Sequence, residues 1–252
     1  MAYTVDAVLK AMELLFLVAE QDSKGVTELA KGSGNTKARA FRLLSTLEES
    51  GLVRRQMPMA TYSLGYRALI IGAAAQNKLS LLQVANEILA SVGSECNESV
   101  LVRIRDGLET ICIAWWDAPH AVRVHTQLGT RRPLGVGASG KLLLAYAPED
   151  VQAQLLAGDL KKYTDKTLTK RSEIKKELKK IIEEGVSISE SERTAEMVAI
   201  SAPVRDASGA VVASLSMSAP ASRTTKTSMK KHTEAIIRGA RRFSAALGYV
   251  AE

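Results

Sequence analysis

Lys37, Arg39 and Arg42 recur on one arc of a helical stretch, and Arg54 and Arg55 follow it on a short β-like run. Cationic side chains in that arrangement suit duplex DNA, where arginine pairs bidentately with guanine edges and any cation grips phosphate. The opposite arc carries Ala40, Leu43, Leu44 and Leu47, so the helix has one core face and one basic face. Thr36, Lys37, Arg39 and Arg42 are the candidate groove contacts and Arg54 and Arg55 the candidate phosphate contacts.

A second cluster lies further on. Gly135-Val136-Gly137-Ala138-Ser139-Gly140-Lys141 has the glycine and lysine spacing of a phosphate loop, but Leu142 stands where serine or threonine would hold magnesium. The preceding Arg131-Arg132-Pro133-Leu134 does not read as the buried strand that such a loop requires. Ser139 lacks the second glycine of a hydrolase elbow, and at a helix start it reads as a cap rather than a nucleophile. A glycine turn entering a helix still offers free N–H groups to an anion. An enzyme with a fused nucleic-acid module is the alternative reading, sustained only by this turn and a pocket around it.

The elements that position these residues follow a definite order. Val26, Leu29 and Ala30 form the apolar side of a short helix, broken by Lys31-Gly32-Ser33-Gly34, with Asn35 at the N-cap of the basic helix. Ser50-Gly51 ends that helix, and Leu52–Arg55 and Thr61–Leu64 flank Met57-Pro58-Met59-Ala60 as two strands of a wing. Val5–Glu20 supplies a third helix with Val8, Leu9, Met12, Leu15 and Phe16 on one face. Surplus apolar surface there and around Leu69–Ala75 is available to a second copy. The order is that of a winged helix-turn-helix.

Beyond a helix at Leu64–Lys78 and another at Leu81–Val92, the pattern turns to strands. Ser99–Ile104 and Thr110–Trp116 flank the hairpin signal Asp106-Gly107, and Val122–Thr126 is a further strand candidate. Helices are expected at Gly140–Tyr146, from Pro148, and at Glu173–Glu184, whose lysines form a solvated face. Strands follow at Gly185–Ser191, Ala199–Val204 and Ala210–Met217, then a long helix from Thr225 to Leu247. One of Trp115 and Trp116 is expected in the core and the other at the surface or an interface. The class is α+β with a largely antiparallel sheet.

Composition agrees with a soluble regulator. The 252 residues suggest two domains, and the net charge of +7 favours an anionic partner. Two cysteines and three histidines lack metal-ligand spacing, so no metal, cofactor or disulfide framework is expected. The start shows no leader pattern and no stretch reaches membrane-spanning length, so a cytoplasmic location is expected.

The chain resembles the IclR-type transcriptional regulators, named for the isocitrate lyase regulator. The resemblance rests on Thr27-Glu28-Leu29-Ala30, Arg42–Leu47 with Gly51-Leu52-Val53, Tyr62-Ser63-Leu64-Gly65 and Ala138–Ala145. It continues through Tyr163–Thr167, Gly185-Val186 with Glu192, Ile200–Val204 and Ser214–Pro220. It implies a winged helix-turn-helix domain at 1–66, a linker helix at 67–80 and a GAF-like effector-binding domain at 81–252. It also implies a homodimer or dimer-of-dimers tetramer on double-stranded operator DNA, without catalysis. Family pocket positions fall on Ala138, Ser139 and Gly140 at the glycine turn, Ser189, Met197 and Ala199, and Ser216 and Ser218 on the last strand. Ser216 and Ser218 share a strand face, and Arg123 or His125 is available to add positive charge, so a small organic acid, aliphatic or aromatic, is the expected effector.

Overall fold

The computed structural model describes residues 4–20, 23–78 and 80–250. The first three residues, which belong to the expectation of no leader, and Leu79 of the expected linker lie outside the described residues. The chain divides into two compact units, 1–79 and 80–252.

The first unit runs α1 (Asp6–Glu20), β1 (Lys24–Gly25), α2 (Val26–Gly32), α3 (Lys37–Glu49), β2 (Val53–Gln56), β3 (Thr61–Leu64) and α4 (Tyr66–Lys78). Its sheet has the order β1-β3-β2, all antiparallel. The two-residue β1 is too short to leave a sequence signal. Leu14, Val18, Leu29, Ala30, Ala40, Leu44, Leu47, Val53 and Tyr62 form the core. Two expectations are corrected here. The core face of α1 is Ala11, Leu14, Leu15 and Val18, at helical spacing, while Val8, Leu9 and Phe16 are exposed. The N-cap of α3 is Thr36 rather than Asn35: Thr36 Oγ1 accepts the Arg39 N–H, whereas the Asn35 N–H closes the end of α2 on Ala30 O at 2.9 Å.

The second unit contains α5 (Ser80–Cys96), β4 (Ser99–Asp106), β5 (Glu109–Trp116), β6 (Arg131–Pro133), α6 (Gly137–Ala145), α7 (Glu149–Ala157) and α8 (Arg171–Glu184). After these come β7 (Ser187–Glu190), β8 (Met197–Arg205), β9 (Val211–Pro220), a short 3₁₀ turn and α9 (Lys226–Ala246). The sheet order is β6-β5-β4-β9-β8-β7, antiparallel throughout. Strand alternation separates its two faces. Val100, Val102, Ile200, Ala202, Val204, Ala213, Leu215 and Met217 pack with Ala85, Leu89 and Val92 of α5 and Ile236, Ala240 and Phe243 of α9. The intervening residues, among them Leu101, Arg103, Ala199, Ser201, Ser214, Ser216 and Ser218, face the other way. There a separate core joins Leu142 and Leu144 of α6 to Leu156 of α7 and Ile174, Leu178 and Ile181 of α8.

Val122–Thr126 is not a strand. Side chains take its neighbourhood's carbonyls: Arg223 Nη1 donates to Val122 O at 2.8 Å and Arg123 Nη1 to His120 O at 3.1 Å. Arg131–Pro133, not expected as a strand, forms the short edge β6. Trp116 packs on the α5 side of the core. A Cβ on Gly93 would fall 2.3 Å from its ring, so only glycine lets helix and strand approach there. Trp115 instead meets the His125 ring edge-on, with centroids 6.5 Å apart.

Candidate functional site

On α3, the buried Ala40, Leu44 and Leu47 leave Thr36, Lys37 and Arg42 exposed, and Arg42 is free of any ion pair among the described residues. Arg39 is half-buried and its guanidinium is engaged by Asp6 of α1, which holds the Asp6 carboxyl below its usual range. On the wing, Arg54 and Arg55 are both exposed but point to opposite faces of β2. Arg54 Nε donates to Ser63 Oγ at 2.9 Å, and Gln56 Nε2 reaches the same hydroxyl at 3.1 Å.

The second unit holds a small, partly open hollow between the polar sheet face and the start of α6, with a cavity volume of about 50 Å³. Ala138, Ser139, Ser189, Met197, Ala199, Ser216 and Ser218 all line it. Gly140 does not. It is buried against the turn, where a Cβ would meet Pro133 O at 3.0 Å and where its carbonyl accepts the Gly135 N–H at 3.0 Å. Gly137 opens α6 with φ +72°, a conformation that favours glycine. The N-cap is Val136, which offers no capping side chain. Ser139 therefore lies within the helix rather than capping it, and the first-turn N–H groups are left for a ligand or water. Ser216 Oγ lies 2.7 Å from Ser201 Oγ, so one of its hydrogen-bonding directions is already used.

Arg103, Arg132 and Arg193 also line the hollow, and the sequence reading missed all three. Arg103 carried a usable signal: with Val100 and Val102 in the core, strand alternation puts it on the serine face, opposite Ser214. It is 1% exposed, and its Nη1 donates to Thr110 O and Thr110 Oγ1, both at 3.2 Å, and to Thr130 O at 3.1 Å. Burial, then the neighbouring Arg132 and Arg193 charges, pull the pKa of its guanidinium down to about 10, still protonated at neutral pH. Burial and then Arg193 lower Arg132 in the same sense. The cations expected from Arg123 and His125 are instead turned to Asp117, at 3.6 and 3.4 Å, and neither lines the hollow.

Lys141, the lysine of the phosphate-loop-like run, is a buried residue of α6. Its Nζ reaches Glu177 at 2.7 Å, Glu192 at 2.5 Å and Ile188 O at 2.9 Å, so its charge is answered inside the protein. The loop at residues 163–169, between α7 and α8, braces the segment carrying Glu192 and Arg193: Thr164 Oγ1 donates to Ser191 O and Thr167 Oγ1 to Glu192 O, each at 2.6 Å. The Arg193 guanidinium lies over the Tyr163 ring, 5.3 Å from its centre. Among the described residues no helix is long and apolar enough to cross a membrane, and no cluster of His, Cys, Asp and Glu has the makings of a metal site.

Comparison with known proteins agrees with this architecture. The IclR helix-turn-helix domain matches residues 7–56, and the C-terminal domain of the bacterial transcriptional regulator IclR matches residues 73–245. The HTH-type transcriptional regulator KdgR of Escherichia coli (strain K12) is 28% identical over 98% of this chain and 94% of its own length. An IclR transcriptional regulator from Alicyclobacillus acidocaldarius superposes with a TM-score of 0.90 at 26% identity, covering 98% of this chain and 100% of that one. An IclR homologue from Microbacterium hydrocarbonoxydans, solved in complex with 4-hydroxybenzoate, shares the fold with a TM-score of 0.81 at 19% identity, covering 96% and 100%. The chain therefore belongs to the IclR family of bacterial transcriptional regulators, and it is a DNA-binding regulator rather than an enzyme.

Proposed function

We propose that the chain regulates a metabolic operon by binding operator DNA through α3 and the wing, and that a small organic acid in the hollow beneath α6 alters this engagement. The observation that carries the sensing half is the buried Arg103, whose Nη2 has no hydrogen-bond partner among the described residues. It shares the hollow with the uncapped start of α6 and the serine row of β9. A carboxylate satisfies such donors, and Met197, Ala199 and Val124 give its skeleton an apolar wall. A small carboxylate is also what the Microbacterium homologue holds, as 4-hydroxybenzoate.

Lys37 and Arg42 are the proposed groove contacts, with Thr36 at the entry of the helix and Arg39 joining them once it leaves Asp6. Arg54 and Arg55 are the proposed phosphate contacts. The exposed Val8, Leu9 and Phe16 of α1 and Leu69, Ile70 and Ile71 of α4 support assembly into a dimer or a dimer of dimers. Two symmetric copies then read half-sites about one helical turn, or a multiple, apart.

A thermal-shift screen of small aliphatic and aromatic carboxylic acids on the full-length protein, followed by DNA titration with any hit, tests the reading. A stabilising acid that also changes DNA affinity is the expected result. Stabilisation by none of the acids overturns the sensing half, and light scattering that finds only monomer overturns the assembly.

A further inference from the structure

The hollow beneath α6 carries more positive charge than one carboxylate can answer. Among the residues lining it, Arg103, Arg132 and Arg193 contribute three guanidinium groups and Glu192 the one carboxylate. That carboxylate is held by Lys141, whose ammonium it shares with Glu177. The two glutamates and the lysine together leave a single negative charge, against three arginines that pair with no carboxylate among the described residues. Two positive charges remain, to which the start of α6 adds its unpaired N–H groups.

The hydrogen bonding points the same way. Arg103 Nη2 and Arg193 Nε are buried polar atoms with no partner among the described residues, and both residues line this hollow. Arg132 makes no side-chain hydrogen bond among them either. Arg103 does some structural work through Thr110 and Thr130, but Arg132 and Arg193 hold nothing comparable in place. Like charges gathered in a sheltered site without counterions work against folding, so a ligand that neutralises them gains more there than it would in open water.

We propose that the effector carries two anionic groups, as a small dicarboxylate or a phosphorylated acid, and that the second of them is read by Arg132 and Arg193. The proposal rests on the organic-acid reading above and narrows it. A monocarboxylate leaves one guanidinium unanswered, whereas a molecule with two anionic groups satisfies the start of α6 and the arginine cluster together. Selection is then by charge number as well as by shape.

Calorimetry on the full-length protein with skeleton-matched pairs tests this: butanoate against butanedioate, pentanoate against pentanedioate, benzoate against benzene-1,3-dicarboxylate, and glycerate against 3-phosphoglycerate. Inorganic phosphate is included alone. The expected result is that at least one acid with two anionic groups binds about tenfold or more tightly than its partner with one, since charge-assisted bonds to a second group are at stake. The dicarboxylate and phosphoglycerate arms tell the two sources apart. Arg132→Gln and Arg193→Gln should each erase most of that preference, while the ligand-free variants melt at or above the parent temperature because a like charge has been removed. Acids with one anionic group that bind as well as those with two overturn this proposal and leave the organic-acid reading standing, whereas binding by no acid of either kind overturns both. Variants that keep the full preference for a second anionic group, or binding of inorganic phosphate as tight as that of any organic acid, also overturn it.

Discussion

The ammonium of Lys141 lies 2.5 Å from the carboxylate of Glu192, with the lysine side chain 3% exposed and the glutamate 11%. The bond ties α6 to the loop that carries Arg193, and Ile188 O and Glu177 complete the lysine's coordination. Removing one partner of a buried pair strands the other charge, so Lys141→Met should cost about 3–5 kcal/mol in urea unfolding. Glu177→Gln should cost much less, because its side chain is 25% exposed and water can replace the lost partner. Comparable stability of Lys141→Met and the parent would show that the lysine does not hold this loop.

Arg42 lies exposed on the basic face of α3, whereas Lys179 is one of several exposed lysines on α8. Arg42→Ala should therefore weaken operator binding far more than Lys179→Ala. If Arg42 reads a base, the loss is about 1–3 kcal/mol and preference relaxes at one base pair. Titrations on operator and scrambled duplexes separate base from phosphate contact, and unchanged affinity of Arg42→Ala removes this residue from the interface.

Arg39 is engaged by the exposed Asp6, and water screens a pair of this kind so that it contributes little to stability. An arginine that must leave a carboxylate before reaching DNA gives up that small stabilisation on binding. Asp6→Asn should raise DNA affinity modestly at low salt, and the gain should shrink as salt rises. Lower affinity for Asp6→Asn would mean that the pair orients Arg39 for DNA instead of withholding it.

The winged domain is readable because its signals are local: an apolar arc at helical spacing, a glycine turn and a two-stranded ribbon lie close together in sequence. Its errors are local too, since Asn35 and Thr36 are both good caps and only the backbone decides between them. In the second unit, Ser214, Ser216 and Ser218 alternate with Leu215 and Met217, and that alternation alone declares a polar sheet face. What stays hidden depends on distant pairing. Arg103, Arg132 and Arg193 lie on β4, β6 and the loop after β7, and nothing in their spacing brings them to one hollow. The same holds for Lys141, whose phosphate-loop setting conceals partners far along the chain at Glu177 and Glu192.

His232 of α9 is half-buried, its Nδ1 has no partner among the described residues, and burial lowers its pKa from 6.5 despite the opposing pull of Glu98. Glu98 is itself clamped by Arg223, with Nε and Nη2 at 2.7 and 2.8 Å, which limits how much charge it can lend to a protonated imidazole. The unfolded chain thus takes up its proton first as pH falls, and stability is lost from about pH 6.5 downward until the folded form also protonates. Above that range both states are neutral at this position and the residue has no pH effect. Melting curves should accordingly show the parent losing more stability than His232→Gln between about pH 7.5 and pH 5, with the two tracking each other at higher pH. Parallel curves across the whole range would place the acid sensitivity of this unit elsewhere.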